Sequence, residues 1–518
     1  MSTAGAPPGH EHHLHVPHVQ EGELEHDAIG FREALAVGLA STAPAYSLAA
    51  VIGTVTVLVG FQAPGALLVS FVPMFLIAAA FFYLNRADQD AGTTFSWVTR
   101  AMGPWLGWLG GWAICTTGIL VIGSLADVGA RYTYELFGWE GAAGSKTAVM
   151  ALAIAYIVVL TAICIIGTEL AASVQDVLIV LQIGALLLFA GVALFKVYDG
   201  SAPEGSTKPE LGWLSPFAIS DFSTLVSALL IGVFIYWGWE SAVNLTEETR
   251  DSARAPGVAA VVSTVILLVT YVGVSVAVLA YAGLETLAEY DDDDAIFAAL
   301  GADVLGSPWD KLVILAIVTS AVASTQTTII PSSRTSFSMA RQRALPRAFA
   351  AVHPRFHTPW FSTSVIAALA IVWYVPINLL SENFLFDTLS ALSLMIAFYY
   401  ALTGFACAIF YRRELTKSIK NLLFIGVGPV VGAVVLGFLF VKSAIDLSDA
   451  ENSYSGQEVL GMGVPFVIGM GFLLLGFVLL VLWRLAGNER FFGRKAFEAV
   501  DPAIAAGDVA PATAGGEP

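Results

Sequence analysis

The run Phe234-Ile235-Tyr236-Trp237-Gly238-Trp239-Glu240-Ser241-Ala242-Val243-Asn244 is unlike an ordinary membrane-crossing helix. It lies inside an apolar stretch from about residue 223 to 246, yet a glycine sits between two tryptophans and a carboxylate follows at once. A mid-membrane carboxylate costs at least about 2.5 kcal/mol on insertion scales, so Glu240 needs a partner or water. A helix that only crosses lipid has no use for either feature. A structural carboxylate tying helices together is the plainer reading and stays open at this stage.

Five apolar stretches earlier a second irregular run appears, Val37-Gly38-Leu39-Ala40-Ser41-Thr42-Ala43-Pro44-Ala45-Tyr46-Ser47. Pro44 has no N–H and clashes with the preceding turn, which frees backbone groups near mid-membrane. Such groups are tolerated only beside a cavity or other protein. Ser41, Thr42 and Ser47 place hydroxyls at the same depth. An ordinary proline kink satisfied by those hydroxyls is the alternative. In a repeat of five plus five helices, spans one and six are equivalents. Paired interrupted helices at corresponding positions point to a transporter's central site. Broken ends offer N–H groups to an anion and carbonyls to a cation, a pattern that suits a zwitterion.

These runs belong to a chain of 518 residues, of which 57% are hydrophobic and 13% charged, with mean hydropathy +0.76. Soluble domains carry roughly 25% charged residues, so this chain cannot cover several soluble cores. Three cysteines, Cys115, Cys164 and Cys407, all in apolar runs, exclude a disulfide scaffold. A span needs about 20 apolar residues. Stretches near 34–60, 64–84, 104–130, 147–167, 171–196, 223–246, 257–283, 310–340, 360–380, 386–411, 421–443 and 462–484 meet that need, giving an all-α integral membrane protein of about twelve helices. No ten-residue alternation marks a β-barrel. The polar thirty residues before the first span predict no cleavable signal peptide.

Orientation follows from the basic residues. With the N-terminus inside, eighteen of the 24 Lys and Arg fall on inner segments. That is the bias of the positive-inside rule, and one missed span would scramble it. Both termini are therefore expected in the cytoplasm. The net charge of −17 lies largely in tails and outer loops such as Asp291 to Asp294, read as solvated loop rather than a cation funnel.

Six of eight histidines fall at His10, His12, His13, His15, His18 and His26. Clustered imidazoles suit transition metals, but no span contains a histidine, so a polar tail is expected instead and no metal site is assigned. Gly144-Ser145-Lys146-Thr147 lacks the Gly-Lys pair of a phosphate loop. Zinc-protease, paired-cysteine and serine-elbow patterns are missing, so no enzyme is expected.

Three segments together resemble permeases of the amino acid–polyamine–organocation superfamily, across roughly residues 30 to 485. The first runs from Tyr236 through Asn244-Leu245-Thr246-Glu247-Glu248-Thr249 to Ala255-Pro256. The second joins Ala91-Gly92, Trp97, Gly103-Pro104, Gly107 and Gly110-Gly111-Trp112. The third joins Ser333-Arg334, Met339-Ala340-Arg341, Leu345-Pro346, Val352-His353-Pro354-Arg355 and Thr358-Pro359.

The resemblance implies a leucine-transporter-like fold with alternating access. It divides the chain into a disordered cytoplasmic tail (1–33), repeat one (34–196, helices 1–5), repeat two (222–411, helices 6–10), two further helices (421–484) and a second tail (485–518). It also implies that Thr42, Ala43 and Pro44 stand at the carboxylate-holding break of helix one, beside Ser41. Phe234 covers the substrate, with Tyr236 and Trp237 beside it, and Gly238 is the unwound point of helix six. Glu240 takes a conformational or proton-linked role. Pro44 replaces a glycine usual in the family and removes one N–H, which brings an amine or polyamine cargo into play. Gln182 falls where several proton-coupled relatives carry a lysine, leaving Asp176 and Glu240 as protonatable groups. Thr319 and Ser320 offer hydroxyls to sodium, or else form a closely packed helix face.

The expectation is a secondary active permease importing an amino acid across the plasma membrane, coupled to protons or sodium. Its partners are that substrate, the coupling ion and the bilayer, with no cofactor and no nucleic acid. A polyamine or other organic-amine permease, and a transporter-fold nutrient sensor, are the alternatives.

Overall fold

The computed structural model describes residues 23–219, 221–289, 296–380, 384–453 and 455–494. The histidines from His10 to His18 and the Asp291–Asp294 run lie outside them. Among the described residues the strands are two-residue pieces, Glu458–Val459 and Met462–Gly463, so the architecture is helical.

The chain enters through α1 (Phe31–Ser41) and α2 (Pro44–Val59). It continues through α3 (Ala63–Ala87), the short α4 (Thr94–Met102) and the long α5 (Pro104–Leu136). Helices α6 (Lys146–Ile166) and α7 (Thr168–Asp199) follow. The sixth apolar stretch is divided into α8 (Phe222–Ile235) and α9 (Ser241–Asn244). Then come α10 (Ala255–Ala288), α11 (Ile296–Leu305), α12 (Lys311–Arg341), α13 (Trp360–Leu380) and α14 (Phe384–Phe410). The last long helices are α15 (Gly428–Leu447) and α16 (Val464–Leu485).

Ten stretches among the described residues are long and apolar enough to cross a membrane. Phe31–Ala87 counts as one of them although it contains a break and a turn, and Phe222–Ile235 is a shorter apolar helix. Burial sorts the helices into a centre and a periphery. The most apolar window of α5 is 89% buried and that of α12 is 78%, against 28% for α16. Small residues let α5 approach its neighbours closely. A Cβ on Gly107 would collide with Thr99 of α4, and one on Gly111 with Met339 of α12 and Phe95 of α4. The serine of the discarded phosphate-loop pattern has a local use, since Ser145 caps α6 by accepting the Ala148 N–H.

The N-terminal tail is shorter than expected. Leu24 and Ile29 are buried. The Ile29 N–H donates to the Glu248 carbonyl at 3.1 Å, and the Arg250 N–H donates back to Ile29 at 2.8 Å. This small parallel bridge ties Ile29 to residues 248–250, and the Glu25 N–H donates to the His357 carbonyl at 3.2 Å, contacts that composition cannot reveal. The described part of the C-terminal tail is also docked, with Phe491 fully buried.

Candidate functional site

Pro44 starts α2, where its missing N–H costs nothing. It also bars the residue before it from helical geometry, and Ala43 sits in the left-handed region at φ 48°. The Thr42 and Ala43 N–H groups turn back to Leu39 and Ala40 at 3.3 and 3.1 Å. The Thr42 carbonyl accepts Ser47 Oγ at 2.7 Å and Tyr271 OH at 3.3 Å. The Ser41 carbonyl accepts Ser324 Oγ at 2.9 Å, and Ser41 Oγ pairs with Ser241 Oγ at 2.8 Å.

The second break faces the first. Helix α8 ends at Ile235, and Gly238 takes φ +119°. A Cβ at Gly238 would stand 2.6 Å from the Ser41 carbonyl oxygen and 3.0 Å from the Thr42 nitrogen, so glycine is what lets the two breaks touch. Glu240 is buried and holds the turn. Its Oε2 accepts the Gly238 N–H at 3.1 Å and Tyr400 OH at 2.5 Å. Its Oε1 accepts Trp237 Nε1 at 2.8 Å and Tyr399 OH at 2.6 Å. Four donors thus replace the hydration that a buried carboxylate loses.

A small cavity lies between the breaks, lined by Ser41, Thr42, Ala43, Tyr46, Ser47, Phe234, Trp237 and Ser324, with Val121 and Leu125 of α5 as its apolar wall. Phe234 lines a second cavity as well, with Leu230, Ile231, Ser390 and Ser393. Leu230, Ile231 and Ser390 in turn border a wider one that includes Asp446 and Glu451, at the face opposite the arginine-rich helix ends. Neighbouring cavities thus share lining residues, and Phe234 is common to the two nearest the breaks.

The arginine-rich, basic side is held by the three segments that carried the family resemblance. Asn244 Nδ2 donates to the Ala91 carbonyl at 2.9 Å. Glu247 accepts the Ala91 N–H at 2.9 Å and pairs with Arg341. Glu248 receives Arg334 through two nitrogens at 2.9 and 3.1 Å, and Thr168 Oγ1 at 2.5 Å. Burial raises the Glu247 carboxyl above its ordinary range, and Arg341 pulls it back. Burial, and then the neighbouring Arg494 and Arg341, push Arg100 down to about 10 while it pairs with Asp88.

The expected site residues divide accordingly. Ser41, Thr42, Ala43, Phe234 and Trp237 line the cavity, and Pro44, Gly238 and Glu240 shape it. Tyr236 is turned away, its ring against Phe71 and Tyr271 at 6.0 and 5.1 Å. Asp176 pairs with Arg32 at 3.0 Å, at the first turn of α1 rather than beside the break. Gln182 is buried, and its amide has no hydrogen-bond partner among the described residues. Thr319 bonds within its own helix, whereas Ser320 Oγ accepts the Tyr46 N–H at 3.3 Å beside the break. Sequence reading missed Tyr399, Tyr400, Ser324, Val121 and Leu125. Two adjacent hydroxyls mid-span, and a serine one turn beyond Ser320, were the available signals.

Residues 34–484 match a family described as amino acid permease. The serine/threonine exchanger SteT of Bacillus subtilis is 26% identical over 384 residues, covering 73% of this chain and 82% of that protein. The low-affinity putrescine importer PlaP of Escherichia coli is 22% identical over 405 residues, covering 75% and 83%. The methylthioribose transporter of Bacillus subtilis is 26% identical over 399 residues, covering 72% and 80%. Among solved structures, MhsT in complex with L-phenylalanine superposes with a TM-score of 0.57 at 15% identity, covering 79% of this chain and 98% of that one. At that identity the likeness speaks for the fold.

Proposed function

This chain belongs to the amino acid permease family, and from that premise we propose that it is a secondary active permease importing a neutral amino acid by alternating access. The observation that carries the reading is the lining of the cavity between the breaks. Hydroxyls, ring faces and aliphatic side chains surround it, and none of its lining residues carries a charge near neutral pH. Glu240 stands behind Trp237 with both oxygens occupied, so it is not free to pair with a cationic cargo.

The cargo's charged ends meet backbone instead. The start of α2 presents the Ala45 N–H and the positive helix end, since Pro44 has no N–H and the Tyr46 and Ser47 N–H groups bond Ser320 Oγ and the Ala43 carbonyl. The end of α8 presents carbonyls, and the two ends favour a carboxylate and an ammonium respectively. Twelve crossings, with α1–α2 and α8–α9 as the broken pair of a five-plus-five repeat, accommodate this arrangement. The positive-inside bias supports an orientation with both termini in the cytoplasm, and the plasma membrane is the membrane this reading assigns. Glu240 is conformational in this reading. Coupling runs through protons or sodium, with Ser320 the expected hydroxyl nearest the break.

An organic-amine cargo is the second reading. It is favoured by Pro44, which takes one N–H from the carboxylate end, and by the likeness to a putrescine importer. Uptake into proteoliposomes of labelled serine, threonine, leucine, lysine and putrescine, each with and without imposed proton and sodium gradients, tests both. Neutral amino acids should accumulate and compete with one another. Preferred uptake of putrescine or lysine would overturn the neutral-cargo reading, and no uptake of any member would overturn the transport reading.

A further inference from the structure

Beyond the last long helix the described residues, as far as Arg494, pack back on the molecule. It turns at Asn488, whose Nδ2 donates to the Trp483 carbonyl at 3.2 Å, and forms a short helix, Glu489–Phe492. Phe491 is fully buried, stacked on Phe95 of α4 with ring centroids 5.7 Å apart. Phe492 lies against Trp105 at 5.2 Å. Both contacts sit on the basic side, and Phe491 shares one apolar cluster with Phe95, with Ile29 of the N-terminal segment and with Leu245 just past α9.

A polar chain starts from the same segment. Arg494 Nη1 donates to Gln342 Oε1 at 2.6 Å. Gln342 Nε2 donates onward to Asp90 Oδ2 at 3.2 Å and to Ser96 Oγ at 3.0 Å. The Asp90 carboxylate also takes Ser338 Oγ at 2.5 Å and stands 3.9 Å from Arg341, the residue that pairs with Glu247. These contacts link Arg494 to Glu247 through Gln342, Asp90 and Arg341, and Asp90 is held in addition by the Gly92 N–H at 2.8 Å and by Arg100 at 3.7 Å.

We propose that residues Glu489–Arg494 are an intramolecular latch that stabilises the state closed on the basic side. For that side to open, Glu247 must leave Arg341 and Ala91. The segment does not touch Glu247. It fixes Phe95 and Gln342, and through Gln342 and Asp90 it keeps Arg341 aimed at Glu247. Undocking it removes a buried aromatic anchor and a charge-assisted hydrogen bond from one half of the clamp, so the open state gains population. The inference rests on the alternating-access reading for the motion but not on any cargo.

The test is a distance measured across the clamp, which needs no substrate. Spin labels on Arg254→Cys and Arg347→Cys, both exposed in this structure, are placed in a chain with the three native cysteines replaced. The full chain is compared with Phe491→Ala, Phe491→Leu and Arg494→Ala in lipid. Phe491→Ala and Arg494→Ala should raise the longer-distance population by about fivefold or more, the low end of typical coupling between sites. Phe491→Leu, which keeps an apolar anchor, should restore most of the short distance. If Phe491→Ala fails to accumulate, Arg494→Ala carries the test alone, because that exposed side chain anchors no core. Distance distributions unchanged from the full chain in Arg494→Ala would overturn the latch. Loss of cargo uptake with unchanged distances would also count against it, and would leave the transport reading standing.

Discussion

Gly238 and Ser41 meet across the two helix breaks so closely that the space for a Cβ on Gly238 is already filled by the Ser41 carbonyl, 2.6 Å away. The contact joins residues 197 positions apart at the point where both helices lose regular hydrogen bonding. It also explains a positive φ that L residues rarely adopt, because Gly238 must turn its free face toward the other break.

Gly238→Ala is therefore expected to abolish uptake or prevent folding, since neither backbone segment is the movable end of a side chain. Gly273→Ala is the control. It lies in α10 with open space around its Cβ, and helix propensity there favours alanine by up to about 1 kcal/mol. Thermal unfolding in detergent should rank Gly273→Ala at or above wild type and Gly238→Ala well below it. Equal stability and uptake for Gly238→Ala would show that the breaks are not in contact.

Glu240→Gln should lower transport far more than it lowers abundance. The carboxylate accepts from four donors, and an amide would set an NH2 donor against two of them. A buried donor left unmatched costs about 1–3 kcal/mol, enough to shift the break without unfolding a chain of this size. Wild-type transport by this variant across pH would make Glu240 plain scaffold.

How much of this was legible in the sequence varies with the distance over which the cause acts. Pro44 and Gly238 announce their breaks because the chemistry is local: a missing N–H and a missing Cβ. The need of Glu240 for partners follows from desolvation alone. The identity of those partners does not, because Tyr399 and Tyr400 lie some 160 residues away, and neither tyrosine's place in an apolar span says which neighbour it faces. Within the irregular run, Tyr236 and Trp237 are adjacent, and no helical period tells which ring enters the cavity. The tails misled for a related reason. Leu24, Ala28-Ile29 and Phe491-Phe492 are apolar pieces of one or two residues in polar surroundings, and their burial needs a surface that exists only after the helices have packed.

The N-terminal segment supplies a third prediction. Deleting residues 1–22 should leave uptake and its ion dependence intact, because no residue assigned to the site or to the clamp lies there. Deleting residues 1–30 removes Leu24 and Ile29 from buried sites and the backbone bridge to Glu248 and Arg250. Two buried aliphatic side chains are worth roughly 3–6 kcal/mol together, so the longer deletion should accumulate poorly. Wild-type accumulation and melting after removal of residues 1–30 would show the segment to be dispensable. Loss of uptake on removing 1–22, altered by added metal, would return the histidines to consideration.

A fourth concerns pH and Glu247. Its folded-state carboxyl lies above the ordinary value because burial outweighs the help from Arg341. A raised carboxyl contributes stability that is present below the unfolded value and lost as pH rises through the folded one. The ion pair with Arg341 needs the carboxylate and forms over that same interval. Acidification should thus favour the fold while loosening the clamp. Glu247→Gln, which mimics the protonated form, should melt no lower than wild type near pH 7 while its spin-label distances across the basic side lengthen. A variant that melts lower and keeps short distances would reverse the sign of this argument.

Phe234 is the last and most direct test of the site. It borders both the cavity between the breaks and the adjacent one, so in the proposed transport cycle its ring moves or is passed when cargo arrives. Once cargo is bound, the ring can close over an ammonium by a cation–π contact worth about 0.5–2 kcal/mol. That range corresponds to roughly a two- to thirty-fold change in affinity. Phe234→Ala should raise the apparent KM for import by an amount in that range, and Phe234→Trp should do less harm because it keeps a ring face. The two roles separate kinetically. Loss of the cation contact appears in KM for every ammonium-bearing cargo, whereas loss of the ring shared by the two cavities also speeds efflux of preloaded cargo. An unchanged KM together with unchanged efflux, in a well-folded Phe234→Ala preparation, would place this ring outside the transport path and remove the strongest side-chain support for a site between the breaks.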